Sequence, residues 1–173
     1  MKDLINFLDS NWQIESITSS NLNCVFELFC SNEPYFSSIG QFPVTKEDCN
    51  TALEALPPNT SKSQKHFFLL YYQSQPMAVV DFIVGYPTAQ HGYIGLLLVN
   101  KKFHHQGFGQ TIFHALCHWA KSQNCSKLQL GCYEMNKIGF SFWQKNGFVP
   151  IKTISTTEKD GNSYQLISME CNI

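Results

Sequence analysis

Two glycines one residue apart, Gly107 and Gly109, separate an apolar run from a helical pattern, and that order of elements describes an anion site. Ile94, Leu96, Leu97, Leu98 and Val99 read as a strand buried on both faces, whereas Ile112, Phe113, Leu116 and Ala120 recur at helical spacing. A strand, a glycine turn and a helix start aim unpaired backbone N–H groups and the positive end of a helix dipole at one point. Phosphate or pyrophosphate can be held there without a lysine. His104 and His105 fall in the same loop, beside the expected phosphates. The chemistry implied is the capture of a diphosphate-bearing small molecule.

The spacing narrows which one. A dinucleotide fingerprint needs a third small residue where Ile112 stands, a turn directly off the strand, and an acid about 20 positions on. A Walker A loop needs Gly-Lys-Ser/Thr, and Gly109 is followed by Gln110 and Thr111. Neither pattern is met. His114 and His118 share a helix face as zinc-binding histidines do, but Ala115 stands where a metalloprotease carries glutamate and no third ligand is suitably spaced. No metal is expected.

A second block runs from Asn136 to Phe148: Asn136 is a natural N-cap, Phe140 and Trp143 lie on one helical face, and Gly147 suits the position after a helix end. Together the two blocks resemble the GNAT superfamily of acyl-CoA N-acyltransferases. Its motif A, Arg/Gln-x-x-Gly-x-Gly/Ala, maps onto His104, His105, Gln106, Gly107, Phe108 and Gly109, matching both glycines but not the first position. Its motif B, Asn-x-x-Ala-x-x-Phe-Tyr-x-x-x-Gly-Phe, maps onto Asn136, Gly139, Phe142, Trp143, Gly147 and Phe148. The blocks stand in the family's order and cover roughly the last half of the chain.

The resemblance implies an α/β (α+β) fold with a mixed, twisted sheet of about seven strands flanked by about four helices, with acetyl-CoA as co-substrate. It places Leu98 and Val99 against the pantetheine and thioester, the main chain of Gln106, Gly107, Phe108, Gly109 and Gln110 around the diphosphate, and Asn136 and Trp143 near the donor. A neutral amine would then attack the thioester in a ternary complex, with a base to take its proton. Asp81, an acid inside the apolar run AVVDFIV, is the first candidate base, and Glu33 before Pro34 is the second. Trp143 stands where many family members carry a tyrosine acid, and an indole is no proton source. Tyr133 or Cys132 are alternatives, or the thiolate leaves unassisted. Tyr35, Phe36, Tyr86 and His91 are the residues expected to line an acceptor pocket for a small amine. The second reading is a sensor of the same fold that binds acyl-CoA without transferring.

These residues need a scaffold, and the chain supplies one. Its 173 residues fit a single domain over 1–173, and 43% hydrophobic content with 14 Phe fits a globular core. Net charge −1 without a basic run argues against nucleic acid, and no apolar run approaches the roughly 20 residues of a membrane span. A cytoplasmic location is expected because the N-terminus lacks a signal-peptide core. Seven scattered cysteines argue against a disulfide framework, and the aromatic surplus leaves room for a homodimer patch. Strands are expected over Trp12 to Thr18, His66 to Gln73 and Met77 to Tyr86, then Tyr93 to Val99, Lys127 to Tyr133, Val149 to Thr157 and Ser163 to Cys171. Helices are expected from Leu22 to Cys30, from Thr45 to Leu56, and after each glycine block's start, with an irregular Tyr35 to Phe42.

Overall fold

The computed structural model describes residues 2–173. After a 3-10 turn over Lys2–Phe7, strand β1 (Trp12–Ser16) leads into three helices, α1 (Leu22–Ser31), α2 (Glu33–Ser38) and α3 (Lys46–Glu54). Strands β2 (Lys65–Tyr72), β3 (Gln75–Val84) and β4 (His91–Val99) follow. Then come α4 (Phe108–Ser122), β5 (Lys127–Tyr133), α5 (Lys137–Lys145), β6 (Val149–Thr157) and β7 (Ser163–Asn172). All seven strands form one mixed sheet in the order β1-β2-β3-β4-β5-β7-β6. Among the described residues, no helix is long and apolar enough to cross a membrane.

Two expectations needed correcting. The first half of the segment expected to be irregular, Tyr35 to Ser38, belongs to helix α2, whose first turn holds Pro34, where the missing N–H costs nothing. The β2–β3 turn lies at Gln73 and Ser74, both with positive φ (48° and 62°), so Pro76 falls inside β3, next to a register shift. Elsewhere the caps act as the sequence implies: Thr45 and Asp48 close a capping box on α3, and Asn136 Oδ1 accepts from Gly139 N–H at 2.9 Å.

Alternation along the strands divides the core in two. Phe68, Leu70, Val80, Phe82, Leu128 and Leu130 pack on one face against Ile112, Phe113, Leu116 and Trp119 of α4. On the opposite face, Phe67, Leu69, Val79 and Leu98 pack against Val25, Leu28 and Phe29 of α1 and Phe36 of α2. Burial on both faces explains why the central strands read as continuous apolar runs.

The sheet is interrupted between β4 and β5. The parallel β4–β5 ladder runs only from His91↔Lys127 to Ile94↔Leu130. At that point β4 bulges: Asp81 pairs with Leu96 and Phe82 with Ile94, leaving Gly95 unmatched. A Cβ on Gly95 would lie 2.9 Å from Asp81 Oδ2, so only glycine lets the carboxylate rest there undisturbed. Beyond the bulge β4 keeps only β3 as a partner and β5 keeps only β7, and the two strands part.

Candidate active site

The gap between β4 and β5 opens into a cavity of about 800 Å³ that continues to the start of α4. Gly107, at φ 85°, caps that helix, and its carbonyl accepts the first helical bond from Thr111. The N–H groups of Phe108, Gly109 and Gln110 therefore have no helical partners. All four residues from Gly107 to Gln110 line the cavity, with Lys101 and Lys137 beside them. A Cβ on Gly109 would touch nothing closer than 3.7 Å, so the protein itself leaves this approach open. The arrangement fits a diphosphate.

The wall of the gap is main chain. Asn100 N–H bonds to Met77 of β3, so by alternation Leu98 also turns its peptide groups toward β3, while Leu97 and Val99 turn theirs into the gap. Leu98, which the resemblance places against the pantetheine, also lines the cavity, with its side chain packed in the core. The Val99 carbonyl is already engaged, accepting from Asn32 Nδ2 at 3.1 Å and contacting His104 Nε2 at 2.9 Å. Asn32 is buried and carried no sequence signal, since a lone polar residue at a helix end has no period to betray it.

Of the other residues expected near the donor, His104, His105, Asn136 and Trp143 line the cavity. Gln106 does not; its amide instead donates to the Lys102 carbonyl. Gln110 is fixed by bonds to Asn146 (2.5 Å) and His114 (2.7 Å), and His118 stacks on Phe7. Among the described residues, no three His, Cys, Asp or Glu gather as a metal site.

A second cavity, about 550 Å³, lies on the α1–α3 face and shares Tyr35, Gly95, Leu96, Gly131 and Tyr133 with the first. Phe36, expected in an acceptor pocket, and Asp81, the first candidate base, both line it. Asp81 Oδ2 pairs with Lys65 Nζ at 2.9 Å, while its Oδ1 is buried without a hydrogen-bond partner. Burial pushes the Asp81 carboxyl above the usual carboxylate range, and Lys65 pulls it only partly back.

Across the gap, the Tyr133 hydroxyl donates to Glu158 Oε1 at 2.5 Å, and Gln41 donates to both Tyr133 and Glu158. Burial, then the bond to Glu158, drives the Tyr133 phenol far above its ordinary value. Burial likewise raises that of Tyr35. Glu158 and Gln41 were missed from sequence because both sit in polar loop-edge segments, and only the fold carries the β6–β7 hairpin over to the α2–α3 loop.

Besides Gln106, three expected site residues are not brought to either cavity. Glu33 is exposed at the start of α2, where its charge favours the helix N-terminus. Tyr86 packs edge-on behind Tyr93, at 5.3 Å between ring centroids. His91 sits at the far end of β4, bonded to Thr88 and Glu170. The splay begins four residues beyond it, so its strand position alone removes it from the pocket.

The acetyltransferase (GNAT) family model matches residues 24–148, well over half of the chain, and the protein belongs to that family of N-acetyltransferases. Its fold is similar to that of an acetyltransferase from Thermus thermophilus, at 22% identity and TM-score 0.74, covering 94% of this chain and 97% of the other. A Salmonella typhimurium acetyltransferase that modifies the N-terminal serine of a 50S ribosomal subunit protein aligns at 16% identity and TM-score 0.75, covering 95% and 96%. A ribosomal alpha-N-protein acetyltransferase, RimL, in complex with coenzyme A gives 16% identity and TM-score 0.73, covering 96% of each chain. No curated protein sequence matches the chain significantly.

Proposed function

We propose that the protein transfers the acetyl group of acetyl-CoA to the primary amine of a small molecule by direct attack in a ternary complex. The observation that carries this reading is the meeting of two cavities at the splay: one ends on the bare amides of α4, and the other holds an unpartnered carboxylate oxygen. A volume of about 550 Å³ on the acceptor side lies within the range of small-molecule sites.

Roles follow from the geometry. The amides of Phe108, Gly109 and Gln110 hold the diphosphate, and the gap-facing peptide groups of Leu97 and Val99 run beside the pantetheine. The Leu97 N–H is the donor placed for the carbonyl oxygen as it gains charge. Asp81 Oδ1 takes the amine proton: a raised pKa brings a carboxylate closer to working pH, and this oxygen has a free lone pair. Tyr133 is a poor acid for the departing thiolate, because losing its proton would set a phenolate against Glu158. Trp143 is packed against Phe113, Phe142 and Phe148 as part of the wall. The thiolate leaves unassisted, which a thiol pKa of about 8.5 tolerates.

Trp143 in the tyrosine position favours the second reading, an acyl-CoA sensor without transfer. Calorimetry with acetyl-CoA followed by thiol release against a panel of amines separates the two. Micromolar binding with amine-dependent release is expected, whereas binding with no release from any amine would favour the sensor.

A further inference from the structure

The acceptor cavity holds two carboxylates with incomplete partners, and they stand on opposite flanks of the splay. On the β3 flank, Asp81 gives one oxygen to Lys65 and keeps the other buried without a donor. On the β5 flank, Glu158 accepts from Tyr133, Gln41 and Thr156, all uncharged. The remaining charges of the cavity cancel: Lys159 Nζ pairs with Asp48 at 2.9 Å, as Lys65 does with Asp81. Among the described residues Glu158 has no cation within ion-pair distance. Glu158 is half-buried, and a partly desolvated carboxylate with no counter-charge favours a cation brought in by what enters the cavity. Between the two flanks the walls are apolar and largely aromatic, built from Phe29, Phe36, Val44, Phe67 and Tyr93.

We propose that the acceptor is a small diamine, two basic nitrogens on an apolar, ring-bearing spacer. This deepens the acetyl-transfer reading and rests on it. One nitrogen, neutral after its proton passes to Asp81 Oδ1, attacks the thioester carbonyl; the C–N bond forms, the C–S bond breaks, the electron pair leaves on sulfur as CoA thiolate, and the second N–H proton, released as the amide forms, ends on that thiolate to give CoA thiol. The second nitrogen stays protonated and is held by Glu158. The product is the monoacetylated diamine.

The matched pair 4-(aminomethyl)benzylamine and 4-methylbenzylamine tests this, because only the first carries a second ammonium. In the wild-type protein kcat/KM for the diamine should exceed that for the monoamine by about tenfold or more, the usual value of a charged hydrogen bond. Glu158→Gln should bring the ratio down to about twofold or less, and Glu158→Asp should restore part of it. Thermal melting of each variant with and without acetyl-CoA reports whether it folds and binds the donor. Equal kcat/KM for the two amines in the wild type would overturn the proposal, as would a ratio unchanged in a folded Glu158→Gln. Failure of both amines with acetyl-CoA binding intact would overturn the diamine class and leave the donor site standing. Loss of acetyl-CoA binding in the wild type would overturn the acetyl-transfer reading itself.

Discussion

Gly109 is open for what approaches it and not for its own backbone. Its φ is not left-handed, and a Cβ there would make ordinary contact with Phe142 at 3.7 Å. Gly109→Glu should therefore melt within a few degrees of wild type, since an acid in the first helical turn is favourable, yet abolish acetyl-CoA binding by calorimetry. Gly107, at φ 85°, would be a less clean probe because any side chain strains the turn by about 1–2 kcal/mol. Asp81 answers to pH. Its native pKa is raised, so its contribution to stability is complete below about 3.9 and is lost as pH rises through the native value. Holding it ionised at neutral pH works against folding, a mark of functional groups. The acid limb of kcat should lie above pH 4 or so, and Asp81→Asn should remove that limb and lower kcat about 100-fold.

Two elements are built around interruptions. The β4 bulge at Gly95 falls where the parallel ladder ends, so the gap between β4 and β5 opens at one unmatched residue. The β6–β7 hairpin is strapped to the α2–α3 loop: Lys159 donates to the Pro43 carbonyl at 2.7 Å, and Asp160 N–H bonds to Gly40 O at 3.1 Å. Gly40 has φ 71°, and a Cβ there would lie 2.6 Å from the Tyr164 ring. Gly40→Ala should cost about 1–2 kcal/mol in backbone strain alone and displace the strap. Steady-state kinetics should then show a raised KM for the amine, while calorimetry shows an unchanged Kd for acetyl-CoA, whose cradle lies at α4.

At the scale of the whole molecule, a ligand that binds only the folded state must stabilise it. Acetyl-CoA at 100 times its Kd should add about 2.7 kcal/mol, or a Tm shift of about 5–10 °C for a chain of this size. NAD at the same concentration should give none, because the glycine turn lacks the spacing for a dinucleotide. A scan with both ligands checks this directly, and equal shifts would count against the donor site described above.

The chain determined by itself whatever is written in local periods and caps. The strand before Gly107, the helices after Gly107 and Asn136, the capping role of Thr45 and the last hairpin all arise within short windows, where alternation, helical spacing and turn residues act. The glycine turn and helix start proposed to hold the donor were legible for the same reason, since consecutive amides at a helix N-terminus are a local structure. Tertiary structure alone decided the acceptor half. Glu158 meets Gln41 across 117 positions and Asn32 meets Val99 across 67, and nothing in a sequence window encodes such pairings. It also decided that His91 and Tyr86 lie outside the pocket, since the end of a strand that reaches the splay depends on its neighbours' register. Asp81 stands between the two cases: its cost inside an apolar run was visible from sequence, but Lys65 on one oxygen and nothing on the other was the fold's decision.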